Sequence, residues 1–468
     1  MGINCQIFTP ENYVDLLLDN INYNTNLFGK RILENACGDG NILTVIVKRY
    51  IADCKKNKKS NEDIIKGLEN DIYAVEIDGY YYTQCLKKLD KLLIEENIDG
   101  KVKWNIFNED YLRKKFDCTF DYIVSNPPYI TYRFINEIDR KYIRDNFQTC
   151  QNGKFDYCYP FIEKSFYDLA SMGKMSYLIP GSIYKTVFGN KLRELIQSKI
   201  MKIIDYSSIK IFSEVLVSSS IMVLDKNKNN DNFEYIDALN NNNLILMNSN
   251  LHNKWVFSSE NNYGQRRFGD FFQVSHVVAT LLNEAFILND WVYNEPFYEV
   301  DNYMIEEQLV RDSSSPKLLS YKKKCKIIFP YYYLNNQLCH YTENSFEENF
   351  PHAVKYLNQY KEKLDKRKKD KSALWFEYGR SQALATLNRN KLLMSTIITD
   401  KVKLYLLDES NIPYSGLFVY PKTNEFNLED AKKILESKSF YKYVLQIGIH
   451  MNGDSYRITS KDILNYQF

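Results

Sequence analysis

The tetrapeptide Asn126-Pro127-Pro128-Tyr129 is the strongest constraint on the fold, because two consecutive prolines cannot continue the strand that runs into them. The residues before it, Phe120 to Ser125, supply a buried strand with Phe120, Ile123 and Val124 as its apolar positions. The strand therefore stops at Asn126, and open α/β sheets bind their ligands beyond the carboxyl ends of their strands. An amide, the Pro127 carbonyl and the flat ring of Tyr129 arrive together, a set suited to a planar base with an exocyclic amino group. Taken alone, the tetrad also reads as a strand-ending turn with a buried tyrosine.

Earlier segments end in comparable ways. Thr9-Pro10 opens a helix over 11–20 with Val14, Leu17 and Leu18 on one face, and a capping role for the Thr9 hydroxyl accounts for the pair. The run Arg31 to Glu34 reads as a strand, followed by the loop Asn35-Ala36-Cys37-Gly38-Asp39-Gly40 and a helix over 41–50. This loop lacks both the GxGxxG spacing and the Lys and hydroxyl pair of a phosphate-gripping loop, although its glycines allow close approach of a ligand. The Lys- and Asn-rich interval 55–70 reads as a solvated surface insertion. Asp71 to Asp78 is a strand with acids at its end: Glu76 is placed to accept from ribose hydroxyls, and Asp78 to cap the next helix. A strand over 102–106 leads to Asp110, a candidate acceptor for the amino group of a cofactor adenine, with Ile106 or Phe107 on the ring; a plain loop aspartate fits that position too.

At 468 residues the chain exceeds one ordinary core and implies two domains, which its 44% hydrophobic content can fill. No run of eighteen apolar residues exists to cross a membrane, and the first residues carry no secretory pattern. Nine cysteines without close pairs suggest neither a disulfide framework nor a zinc cluster, so the expected setting is reducing cytoplasm with no metal.

Three successive strand ends presenting a glycine loop, an acid and another acid, and a fourth presenting Asn-Pro-Pro-Tyr, resemble the gamma-class, TaqI-like family of type II DNA adenine-N6 methyltransferases. The resemblance implies an α/β fold, a class I S-adenosylmethionine-dependent methyltransferase with a Rossmann-like mixed sheet, joined to a second mixed α/β target-recognition domain. It implies S-adenosylmethionine as cofactor, held by Phe8, Thr9 and Pro10 near its methionine end, by Glu34, Ala36, Cys37, Gly38 and Gly40 in the loop, by Glu76 and Ile77 at the ribose, and by Asp110, Tyr111 and Asn126. Asn35 and Asp39 depart from the family's loop, where a proline and a small residue are usual. The implied catalytic set is Asn126, Pro127, Pro128 and Tyr129, with Phe212 closing the other face of a base rotated out of the duplex.

Further on, a helix over 155–169, a strand over 173–180, a helix over 192–200 and strands at 203–206 and 218–224 complete the first domain, placed at residues 1–250. The second domain, 251–468, holds a basic stretch. Residues 351–403 contain 13 Lys or Arg and 5 Asp or Glu, and 13 minus 5 leaves +8 against +2 for the whole chain. A helix over 353–370 carries Lys366, Arg367, Lys368 and Lys369 near its end as a phosphate-facing patch, and Arg380 and Gln382 have donors for DNA backbone or base edges. The segments 274–286, 375–382, 411–421 and 456–464 resemble parts of family recognition domains. Double-stranded DNA is the expected partner and a monomer the expected form, with a cognate restriction endonuclease or none. With the first motif at residues 8–10, no amino-terminal nuclease domain is expected. The alternatives are a methyltransferase of RNA or protein amino groups, or a noncatalytic DNA-binding protein that kept the fold.

Overall fold

The computed structural model describes residues 9–468 except 208, 210, 212–217, 249–250, 252–253, 258–263 and 452–453, so Phe8 and Phe212 lie outside the described residues. The chain divides into two compact units, 1–261 with 449–454, and 262–448 with 455–468.

The first unit is built on strands β1 (Ile32–Glu34), β2 (Ile72–Val75), β3 (Asn105–Phe107), β4 (Phe120–Ser125), β5 (Leu169–Pro180), β6 (Ile200–Asp205), β7 (Ser219–Asp225), β8 (Asn232–Asp237) and β9 (Asn242–Met247). They form one sheet in the order β3-β2-β1-β4-β5-β7-β6-β8-β9. The strands from β3 to β5 pair in parallel, and β7 runs antiparallel to both β5 and β6. Parallel pairing demands crossovers, which are supplied by α2 (Asn41–Lys56), α3 (Asn61–Asp71), α4 (Gly79–Glu95), α5 (Glu137–Asn146) and α6 (Cys158–Asp168) after the entry helix α1 (Glu11–Asp19). Helices on both faces leave no polar side to the central strands. Ile32 and Val124 pack into one hydrophobic cluster, and Leu33 and Ile123 into the other. Each such side chain, fully buried, contributes about 1.5–3 kcal/mol.

The order of the strands reverses between β1 and β4, and this switch point decides where a ligand can sit. Glu34 pairs with Ala74 on one side and Val124 on the other, so Glu34, Glu76 and Asn126 leave the sheet at one edge within two residues of each other.

Several expected elements change. The supposed surface insertion over 55–70 contains α3, which opens with a reciprocal Ser60 and Asp63 capping box. It buries Ile64, Gly67 and Leu68 and accepts the Tyr50 hydroxyl at Asp71, 2.5 Å away. Its lysines and asparagines obscure that helical spacing. The helix expected from Phe155 begins at Cys158, because the Tyr157 N–H is spent on the Ile130 carbonyl, and β5 begins at Leu169 rather than 173. The helix placed over 192–200 ends at Ile196, and Ile200 already belongs to β6. The strand read at 102–106 occupies 105–107.

In the second unit, strands Phe272–His276, Leu417–Pro421, Lys391–Met394 and Leu404–Leu407 make an antiparallel sheet. Strands Ile287–Leu288, Cys325–Ile328, Val310–Ser314 and Ile412–Pro413 make a mixed one. A core of aromatic and aliphatic side chains, including Phe286, Tyr331, Phe346, Phe376 and Tyr378, is shared by the helices and strands of this unit. The single helix expected over 353–370 is two helices, Pro351–Asn358 and Lys361–Asp365, broken at Tyr360, whose φ of −103° and ψ of 3° are not helical. The first is capped from outside by the buried Glu306 carboxylate, which accepts from the His352 and Ala353 N–H groups at 2.8 and 2.9 Å.

Candidate active site

The loop after β1 and the end of β2 are tied together before any ligand is considered. The Cys37 N–H donates to the Val75 carbonyl at 3.0 Å. The Glu76 carboxylate accepts from the Gly38 N–H on one oxygen and the Asp78 N–H on the other, both at 2.8 Å. Asn108 donates to the Glu76 and Ile77 carbonyls. Gly40 enters α2 at φ +89°, and a Cβ there would stand 2.8 Å from the Cys85 sulfur, so only glycine satisfies both the backbone and the packing. Asp39 pairs with Lys88.

These ends border an open pocket on the ligand-binding edge of the sheet, with about 910 Å³ of empty space when the solvent at its mouth is included. Thr9, Glu34, Ala36, Cys37, Gly38, Glu76, Ile77, Asp110, Tyr111 and all four residues from Asn126 to Tyr129 line it. Pro10 and Gly40 do not: Pro10 starts α1 as its N-cap, and Gly40 shapes the loop from behind. Thr9 does not cap α1, as its sequence setting suggests; its hydroxyl accepts instead from the Asn126 side-chain amide at 3.1 Å.

Electrostatics separate the two glutamates. Glu34 is buried, and burial pushes its carboxyl well above the usual glutamate range, with Cys85, Glu76 and Asp39 adding to the shift. Burial also raises Glu76, but the Asp78 and Gly38 N–H groups oppose the shift and favour the carboxylate. Asp110 accepts from the Leu112 N–H and pairs with Arg113 at 2.9 Å, each oxygen keeping a further lone pair. The Tyr111 hydroxyl turns away to Ser165 and Asp168, both at 2.8 Å, so its ring is what meets the pocket. The Tyr129 hydroxyl is sunk in the protein and pushed well up by burial. Asn35, which departs from the family's loop, also lines the pocket and donates to Ser165 and Tyr177.

Tyr157 and Phe161 from the start of α6, together with Asn41, Ile42, Val75 and Glu109, also line the pocket and were not anticipated. The two aromatics stand one helical turn apart, a spacing that could have suggested a shared face.

The basic stretch of the second unit is less uniform than its charge. Lys366 is exposed beside Glu362, Lys368 is exposed, and Gln382 is exposed. Arg367 turns inward: its guanidinium donates to the carbonyls of Leu364, Thr280, Trp375 and Glu377, so it braces this part of the unit. Lys369 reaches the Ala373 carbonyl, and Arg380 pairs with Asp370 at 2.7 Å.

Residues 25–212 match the family described as Eco57I restriction-modification methylase. The chain is 23% identical over 380 residues to the type II restriction enzyme and methyltransferase RM.Eco57I of Escherichia coli, covering 69% of this chain and 38% of that protein. It is 27% identical over 239 residues to the type II methyltransferase M.BstVI of Geobacillus stearothermophilus, covering 48% of this chain and 42% of that one. The chain thus spans roughly two fifths of the length of these curated relatives. Among solved structures, the type IIL restriction-modification enzyme MmeI in complex with DNA superposes with a TM-score of 0.64 at 13% identity, over 97% of this chain and 65% of that one. The fold is accordingly that of a class I S-adenosylmethionine-dependent methyltransferase followed by an additional α/β unit.

S-adenosylmethionine is the cofactor associated with this fold, and the residues fit it. Glu76 offers carboxylate acceptors at a strand end, Gly38 lets the backbone approach, and Glu34 is a buried acid with one oxygen that has no hydrogen bond among the described residues.

Proposed function

We propose that the protein is a sequence-specific DNA methyltransferase that transfers a methyl group from S-adenosylmethionine to N6 of an adenine rotated out of duplex DNA. One observation carries this reading: Asn126 to Tyr129 leave β4 at the switch point and line the same pocket as Glu34, Glu76 and Asp110. Bound S-adenosylmethionine supplies an electrophilic methyl group on sulfur. The chain's own residues supply position. The Asn126 side-chain carbonyl accepts one hydrogen of the exocyclic amine and the Pro127 backbone carbonyl accepts the other, which orients the nitrogen lone pair. Tyr129 offers its ring to the base, with its hydroxyl buried in the protein. Phe212 is assigned to the other face of the base. Fixing the amine in this way makes attack effectively unimolecular. An asparagine at the head of the tetrad, with the motifs in this chain order, favours adenine over cytosine.

Glu76 is assigned to the ribose hydroxyls and Asp110 to the adenine amine of the cofactor. In the second unit, Lys366, Lys368, Arg380 and Gln382 are assigned to DNA, and the protein to the modification half of a restriction-modification system, acting as a monomer. The names of the relatives, several of them type II methyltransferases, support this reading.

Asn126→Ala tests the assignment. The expected variant folds, keeps much of its affinity for duplex DNA, and loses most methyl transfer in a labelled-methyl assay at saturating S-adenosylmethionine. Transfer at the native rate would remove Asn126 from the catalytic set.

A further inference from the structure

The contact between Thr9 and Asn126 joins residues 117 positions apart, and neither side of it is explained by local structure. A threonine before a helix ordinarily turns its hydroxyl to the first free N–H groups. Here α1 takes Pro10 as its N-cap with no side-chain cap, and the Thr9 hydroxyl accepts from Asn126 Nδ2 at 3.1 Å. Thr9 is only 5% exposed and lines the pocket beside Asn126. Its hydroxyl is also unusually well held. The following proline confines the Thr9 backbone to extended conformations, and the β-branch restricts χ1.

We infer that Thr9 is a positioning residue that selects which end of the Asn126 amide meets the substrate. Under the adenine-methylation reading, on which this role depends, the amide must present Oδ1, an acceptor, to the exocyclic amine. The opposite orientation would aim an N–H donor at an N–H donor. An amide is planar, so anchoring Nδ2 on the Thr9 hydroxyl places Oδ1 on the other side. The backbone flanking Asn126 is already fixed by β4 and Pro127, which leaves the side-chain torsions as the remaining freedom. Thr9 therefore acts through Asn126 and need not touch the reacting atoms.

The test uses the full chain in single-turnover transfer from labelled S-adenosylmethionine to duplex DNA, with cofactor affinity measured separately by calorimetry. Thr9→Val keeps the shape and removes the acceptor. With S-adenosylmethionine at saturation it is expected to slow transfer about tenfold, the worth of one hydrogen bond, while the melting temperature stays in place. Thr9→Ser restores the acceptor and should recover most of the rate. In an Asn126→Ala background, Thr9→Val should cause no further slowing, because the amide it orients is gone. Native transfer by Thr9→Val would overturn the role of Thr9 alone. So would a full tenfold loss in the Asn126→Ala background, or a loss that saturating S-adenosylmethionine abolishes. Absence of DNA methylation by the native chain would overturn the adenine reading together with this role.

Discussion

Glu34 shows how one residue can carry a stability cost inside a binding site. Its carboxyl is buried and pushed well above the usual value of 4.5, so the folded protein holds a proton there that the unfolded chain releases. The folded state therefore binds more protons above pH 4.5, and stability falls as pH rises from there through the folded-state value. Glu34→Gln removes that dependence. Its melting temperature is expected to exceed the native one by a margin that grows from pH 5 to neutral pH, and a margin constant over that range would contradict the burial argument. Gly40 is constrained by space and backbone together: Gly40→Ala would meet the Cys85 sulfur at φ +89° and should cost about 1–3 kcal/mol in denaturant unfolding. The acids and the tetrad were legible in the sequence because prolines and glycines mark where strands stop, and strand ends in this architecture face the ligand. The Thr9 contact was not legible. A local capping explanation was complete in itself, and the true partner lies 117 residues away.

At the scale of elements, the sequence is a good guide where apolar residues are dense and a poor one where charge covers a helical face. β1, β2 and β4 are buried runs bounded by turn residues; β4 keeps its expected bounds, whereas β2 ends at Val75, three residues before the expected Asp78. The helix α3 is masked in the sequence because Ile64 and Leu68 sit among Lys, Asn and Glu. Its capping box is the signal that could have revealed it. Ser60→Ala is expected to lower stability by about 1 kcal/mol, measured as a shift of the urea midpoint; no shift would mean the cap is idle. The basic run near Lys366 fails as a single face for a related reason. Charge alone does not show that the Arg367 donors are turned inward to four carbonyls. Lys366→Glu with Lys368→Glu should weaken DNA binding and make its salt dependence shallower, whereas Arg367→Ala should chiefly lower the melting temperature. An Arg367→Ala variant that keeps its stability and loses DNA affinity would reverse that division.

At the scale of the whole molecule, a nine-stranded sheet and its helices build the pocket, and a second unit with its own aromatic core carries the basic stretch. The small net charge of +2 hides the +8 of residues 351–403, so whole-chain charge is a poor guide to what this protein binds. The account stands or falls on the reaction assigned to the pocket. Purified protein incubated with methyl-labelled S-adenosylmethionine and duplex DNA of mixed sequence, followed by nucleoside analysis and mapping of the modified positions, tests it most directly. The account predicts N6-methyladenine confined to one short sequence. Label in cytosine, or none in DNA while cofactor binding is intact, would contradict it.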